Sequence, residues 1–232
     1  VDTLSKYVTV YPQATRNIAF NTQRQCLKTN NFVFTNTSTV ASPGNMMKWA
    51  WDWGNTKTDT AKSPKHVYTT AGTYKVILTI TTANSCTDTI SKTIVVNPNA
   101  NVAFTINNAA QCLRGNSFTY TSTSTVTAGT LTNAWNYGDG GTGTGSPVTR
   151  AYAAAGPYKV LLTATTSGGC VDTLSKYVTV YPQATRNIAF NTQRQCLKTN
   201  SFVFTNTSTI VAPGNMMKWA WAWGDTKTDT AK

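Results

Sequence analysis

Apolar positions along this chain recur at intervals of two, in short runs closed by turn residues. Tyr74, Val76, Leu78 and Ile80 alternate with Lys75, Ile77 and Thr79, the period of a strand that buries one face. A turn at Ala71-Gly72 precedes this run. Phe32 and Phe34 lead into Thr35-Asn36-Thr37-Ser38-Thr39, which predicts one alternating strand, followed by a loop at 41–45 that carries Pro43-Gly44. Trp49, Trp51 and Trp53 stand at i, i+2 and i+4 and so share one face. They are expected to line a core and not to form an exposed platform for sugars, because same-face aromatics on a central strand pack inward. A short Ala83-Asn84-Ser85 turn opens a closing strand from Thr87 to Val96, and Ser167-Gly168-Gly169 opens its counterpart from Val171 to Val180. The chain is rich in Thr, Ser, Asn, Val and Tyr and almost empty of long helix formers in any run, so it reads as all-β.

The strands belong to a repeat. Residues 1–62 recur as 171–232 with six changes: Asn31/Ser201, Val40/Ile210, Ala41/Val211, Ser42/Ala212, Asp52/Ala222 and Asn55/Asp225. Inside this 170-residue period lies a looser one of 84, matching Trp51 with Trp135, Tyr68 with Tyr152, Tyr74 with Tyr158 and Cys86 with Cys170. Two domain types therefore alternate. Pro12, Pro98 and Pro182 end similar strands, since proline cannot donate to a central ladder. They predict a domain over 13–98, a second over 99–182, a truncated third over 183–232, and residues 1–12 as the last strand of a preceding domain. Linkers this short imply a stiff array.

Composition narrows the function. Twenty Lys and Arg against eight acids give a net charge of +12, but the cations are scattered. That points weakly to anionic glycans or surfaces and, without a basic block or reader motif, away from nucleic acid. No apolar stretch approaches the roughly 20 residues of a membrane span, so membrane anchoring is expected only through regions outside this sequence.

Trp135-Asn136-Tyr137-Gly138-Asp139-Gly140 and Trp221-Ala222-Trp223-Gly224-Asp225, with His66-Val67-Tyr68 and Gly72 to Leu78, resemble the signature of PKD domains. The resemblance covers essentially the whole chain. It implies tandem Ig-like β-sandwiches of extracellular, cell-surface proteins. A cysteine before Phe-x-Phe and another before the last strand resemble the long PKD arrays of Bacteroidota surface proteins, including gliding-motility adhesins. Asn55 departs from the pattern where Asp139 and Asp225 stand, so the Gly-Asp pair is read as turn chemistry, with Asp accepting from local amides.

The five cysteines, Cys26, Cys86, Cys112, Cys170 and Cys196, occupy repeating positions. With no Cys-x-x-Cys spacing and one histidine, disulfides are expected and zinc is not. Two connectivities stay open. Cys26–Cys86 and Cys112–Cys170 would lock each domain. Ig-type topology, which the resemblance implies, puts those positions at opposite ends of a sandwich about 30 Å long, against about 4.4–6.8 Å between bridged Cα atoms. The alternative is Cys26–Cys170, joining neighbouring repeats and leaving Cys86 and Cys112 for partners beyond this chain.

Catalytic and cofactor chemistry have little material. His66 is the lone histidine and is replaced by Arg150 in the second domain; no acids stand in a calcium-loop spacing, and Gly140 to Gly145 reads as a flexible hairpin and not a phosphate loop. No enzyme, cofactor or metal is expected. Asn36-Thr37-Ser38 and Asn206-Thr207-Ser208 match the N-glycosylation acceptor. Asp-Thr-apolar triplets at Thr60, Thr89 and Thr173 match, by the Bacteroidota resemblance, an O-glycosylation acceptor. The functional expectation is a repetitive structural or adhesive stalk whose partners are neighbouring repeats and other copies in a filament or bundle. The alternatives are an array of modules that bind polysaccharide or protein, through loops such as Pro43 to Met47, and a spacer in a secreted hydrolase. Met46 and Met47, with Met216 and Met217, are candidates to pack on a neighbour.

Overall fold

The computed structural model describes residues 3–41, 47–191, 193–211, 217–224 and 226–230. The chain is all-β and divides into two compact units. The first comprises Val1–Asn101 with Thr125–Leu131 and Thr165–Asp172; the second comprises Val102–Ser124, Thr132–Ala164 and Thr173–Lys232.

The first sandwich contains β1 (Ala14–Thr15), β2 (Ile18–Phe20), β3 (Arg24–Cys26), β4 (Phe32–Asn36), β5 (Thr39–Val40), β6 (Met47–Asp52), β7 (Thr58–Asp59), β8 (Lys65–His66), β9 (Gly72–Thr82) and β10 (Thr87–Asn97). One sheet has the order β3-β10-β9-β6-β7, the other β2-β4-β8, with β1-β5 as a small separate pair. Alternation decides what faces inward: Val76, Leu78 and Ile80 of β9 are fully buried against Phe32, Phe34, Trp51, Trp53 and Ile94. Trp51 and Trp53 stack at 5.4 Å, and the buried Trp51 indole N–H donates to Ala61 O at 2.9 Å, so aromatic area enters the core without an orphaned donor. Trp49 is only half-buried at the margin. The strand expected over 32–39 breaks after Asn36, because Thr37 donates to Asn17 O and Ser38 N–H turns onto Asn36 Oδ1. Met47 is partly buried and packs against the margin of its own core. The rest of the Pro43–Met47 loop, with Met46 and Met216, lies outside the described residues.

The second sandwich repeats the plan with β11 (Phe104–Ile106), β12 (Ala110–Cys112), β13 (Phe118–Ser122), β14 (Leu131–Asn136), β15 (Thr142–Thr144), β16 (Val148–Arg150), β17 (Gly156–Thr166) and β18 (Val171–Tyr181). Its sheets run β12-β18-β17-β14-β15 and β11-β13-β16, around Phe104, Phe118, Tyr120, Trp135, Val160, Leu162 and Val178. The glycine run at 140–145 is an ordered β14-β15 hairpin, closed by Tyr137 N–H on Gly141 O at 3.0 Å. A Cβ on Gly143 would lie 2.1 Å from Tyr137 Oη, so any larger residue there has to displace that hydroxyl.

Residues 183–232 carry β19 (Ile188–Phe190), β20 (Phe204–Asn206), β21 (Trp221–Ala222) and β22 (Thr228–Asp229). Phe202 and Phe204 are 43% and 37% exposed, whereas their equivalents Phe32 and Phe34 are 0% exposed. Residues 3–11 form no strand, although the same sequence at 173–181 lies in β18.

Candidate functional site

Covalent chemistry converges where Cys26 meets Cys170, both in the first compact unit. β3 runs parallel to the end of β10, pairing Val95 with Arg24 and Asn97 with Cys26. Cys26 thus sits beside the last residue of β10, whereas Cys86 precedes the first. Eleven strand residues separate those levels, about 36 Å at 3.3 Å each. After Cys26 the chain turns through a 3-10 segment, Leu27–Thr29, held by a buried amide. Asn30 donates to Leu27 O (2.7 Å) and Tyr68 O (2.9 Å) and accepts from Tyr68 N–H (2.7 Å). Burial, then the charges of neighbouring Tyr74 and Asp52, push the Tyr68 hydroxyl far up, and it donates to Trp53 O at 2.8 Å. Cys112 is positioned alike: Asn116 clamps Leu113 O and Tyr152, and Cys112 pairs with Tyr181.

Cys170 ends the tight turn between β17 and β18. Thr166 and Cys170 bond in both directions, at 2.9 Å to the carbonyl and 3.1 Å to the hydroxyl, and Gly169 takes φ +82°, a value that favours glycine. Cys170 is fully buried and bonded to Cys26 with Cα atoms 5.6 Å apart. The within-domain pairs Cys26–Cys86 and Cys112–Cys170 do not form, for the strand-length reason above. Cys86, Cys112 and Cys196 carry free thiols.

A polar ring surrounds the bond. Asn97 Nδ2 donates to Gly168 O at 3.0 Å, and a Cβ on Gly168 would lie 2.7 Å from Asn97 Cγ. Asn99 accepts from Lys28 N–H at 2.9 Å and donates to Asp172 at 2.8 Å, while the Lys28 ammonium pairs with the other Asp172 oxygen. Burial opposes the Asp172 charge, but the Lys28 and Asn99 hydrogen bonds, the Lys28 charge and an amide bond from Ala100 hold its carboxyl below the ordinary range. Sequence reading singled out the cysteines and missed this ring. A signal was present: each first-type cysteine is followed two residues on by Lys28, Arg114 or Lys198, and each second-type cysteine by Asp88 or Asp172.

Asp139 is more than a turn residue. Its Oδ1 accepts from Gly141 N–H at 3.0 Å, and its Oδ2 accepts from Arg150 Nε at 2.9 Å and Nη2 at 2.6 Å. Burial opposes its charge, yet the Arg150 hydrogen bonds, the Gly141 amide and the Arg150 charge bring its carboxyl down. In the first sandwich the same two positions are Asn55 and His66, 3.2 Å apart. His66 stacks on Trp53 at 4.5 Å where Arg150 lies over Tyr137 at 5.4 Å. Burial, with the Lys57 charge, lowers the His66 pKa against a smaller opposing effect of Asp59. Asp225 lies outside the described residues.

Thr60, Thr89 and Thr173 are all exposed. Asn36 is a correction: it is 4% exposed and its amide nitrogen is sealed in the fold, so this acceptor is closed to a glycan once the sandwich forms. Asn206 is partly buried and its Oδ1 accepts from Ser208 N–H. Among the described residues no three His, Cys, Asp or Glu side chains group as metal ligands.

A family model described as PKD domain matches residues 14–98 and 95–180. The pre-pro-metalloprotease PrtV of Vibrio cholerae serotype O1 is 45% identical over 60 residues, covering 25% of this chain and 6% of the relative. The chain thus spans a small fraction of that protein. Among solved structures, the PKD1 domain of the V. cholerae metalloprotease PrtV is 33% identical over 38% of this chain and 98% of its own, with a TM-score of 0.32. The PKD1 domain of Vibrio anguillarum Epp is 30% identical over 36% and 92%, with a TM-score of 0.31.

Proposed function

The chain belongs to the PKD domain family, and from that premise we propose that it is an extracellular spacer array, a cell-surface stalk whose tandem sandwiches supply reach while specific binding lies elsewhere in the whole protein. PKD and Ig-like modules are non-catalytic domains, and the proposal assigns this chain no reaction. The carrying observation is the covalent link between Cys26 and Cys170, 144 residues apart, in a chain whose 170-residue period is almost invariant. A bond over that separation resists extension of the array, and a spacer gains from copy number, as an enzyme site does not. The thiol chemistry fits an oxidising compartment outside the cytosol. Small-angle scattering on chains with one, two and three added 170-residue periods tests this reading. The maximum dimension is expected to grow in proportion to copy number; a globular dependence, near the 0.38 power of length, would overturn it.

One observation favours a second reading, a module that binds polysaccharide. Trp49 borders a groove of about 500 Å³ lined by Met47, Lys48, Ala50, Thr60 and Thr81, and its buried indole N–H has no hydrogen-bond partner among the described residues. Asn133 replaces it in the second sandwich. Retention on polysaccharide-coupled matrices that Trp49→Ala abolishes would support this reading over the spacer.

A further inference from the structure

We propose that Cys86 and Cys112 are unmated halves of the staple that Cys26 and Cys170 form, each taking a cysteine of the complementary kind on another PKD sandwich. The inference rests on the spacer reading, in which one repeat follows another.

Position comes first. Cys86 ends the β9–β10 turn as Cys170 ends the β17–β18 turn: Thr82 N–H donates to Cys86 O at 2.9 Å, and Cys86 N–H to Thr82 Oγ1 at 3.3 Å. Cys112 ends β12 against Tyr181 as Cys26 ends β3 against Asn97. The 144-residue interval applied from Cys112, and the 170-residue period applied from Cys86, arrive at one and the same place in the repeat.

Charge is the independent observation. In the closed staple the residue two after the first cysteine, Lys28, is paired with the residue two after the second, Asp172. Arg114 stands two after Cys112, exposed and without an ion-pair partner among the described residues. Asp88 stands two after Cys86, and among the described residues its contacts fall on Oδ1, with Arg16 at 3.0 Å and Thr89 N–H. The unmated halves are thus a Cys-x-Arg and a Cys-x-Asp, complementary in sign as the mated ones are, and Cys196-Leu197-Lys198 has the Cys-x-basic form. The contact at the rim differs: Tyr181, 43% exposed, and Asn84 replace Asn97 and Gly168.

Closure is thiol–disulfide exchange with an oxidised dithiol carrier. One cysteine thiolate attacks the carrier disulfide, forming a mixed disulfide and releasing one carrier sulfur as thiolate. The partner thiolate then displaces the second carrier sulfur, and the carrier leaves as a dithiol with the two electrons and two protons that the cysteines lose. The complementary cysteine can belong to a further repeat of the same polypeptide or to a second copy of the chain.

The test oxidises the 232-residue chain in a glutathione redox buffer, with non-reducing gels and disulfide peptide mapping as readouts. Neither Cys86 nor Cys112 has a cysteine at the 144-residue interval within these 232 residues, so covalent multimers are expected. Cys86–Cys112 and Cys86–Cys196 links should exceed Cys86–Cys86 and Cys112–Cys112 links about tenfold. Arg114→Glu should lower the Cys86–Cys112 yield about threefold, and Asp88→Lys in the same chain should restore it. In a chain extended by one further repeat, the Cys112 link should form at monomer mass. Free thiols that iodoacetamide still alkylates, or equal yields of like and unlike pairs, would overturn the proposal. Scattering separates it from the spacer reading: extension with unpaired thiols removes the staple alone, whereas paired thiols in a collapsed array remove the spacer alone.

Discussion

His66 and Ser85 show how much of one residue's energetics depends on its surroundings. Because burial disfavours the imidazolium, the folded His66 pKa lies below 6.5. Stability linked to it is therefore complete above pH 6.5 and declines as pH falls through 6.5 toward the folded midpoint, levelling off below that. As the lone histidine, it gives one imidazole Hε1 resonance in proton NMR, whose titration is expected to centre below 6.5; a midpoint at or above 6.5 would contradict the assigned burial. Asn55→Asp, which installs the acid found at Asp139, should raise that midpoint. Ser85 holds φ +61° where the equivalent Gly169 holds +82°. A side chain in this region is strained, so Ser85→Gly should stabilise the first sandwich by about 0.5–1 kcal/mol, read from urea midpoints.

At the scale of elements, a strand needs its neighbour as much as its sequence. Residues 3–11 and 173–181 are identical, yet Val8 and Val10 are 90% and 87% exposed while Val178 and Val180 are 0% and 1% exposed. A strand in water leaves its ladder groups to solvent and gains no packing, so residues 3–11, which join no sheet among the described residues, stay open to solvent. Hydrogen exchange makes this visible, because both copies yield the same peptide. Two isotopic populations of equal size are expected, one fully exchanged at early times and one protected. A single envelope would show that the two copies behave alike. The turn after Cys26 depends on Asn30 in a comparable way: Asn30→Ala would leave Tyr68 N–H and two carbonyls unpaired in a buried place, costing about 2–4 kcal/mol. The same loss is expected for Asn116→Ala, measured by urea unfolding.

For the whole molecule, the Cys26–Cys170 bond closes a loop of 144 residues, worth up to about 5 kcal/mol in the chain-entropy account. Reduction or Cys170→Ser should lower the unfolding midpoint of residues 13–98 and 165–172 together; an unchanged midpoint would show that the bond bears no stability. The acid limit belongs to this scale too. Asp139 and Asp172 have lowered pKa values, so their support is present above about pH 3.8 and is lost as pH falls below it through their folded values. Much of this architecture was legible in sequence. Period-two alternation identified β9, the Trp51–Trp53 face and the closing strands, because side-chain direction in a strand follows residue parity alone. Repetition revealed the two domain types and the equivalent cysteines. Sequence left the disulfide undecided between two pairings, and could not show the Asn30 and Asn116 clamps, the Asp139–Arg150 pair or the burial of Asn36. Each of these joins residues distant along the chain, and local pattern carries no information on which distant groups share a place. Only the parallel docking of β3 on β10 put Cys26 a full strand length away from Cys86 and within bonding distance of Cys170.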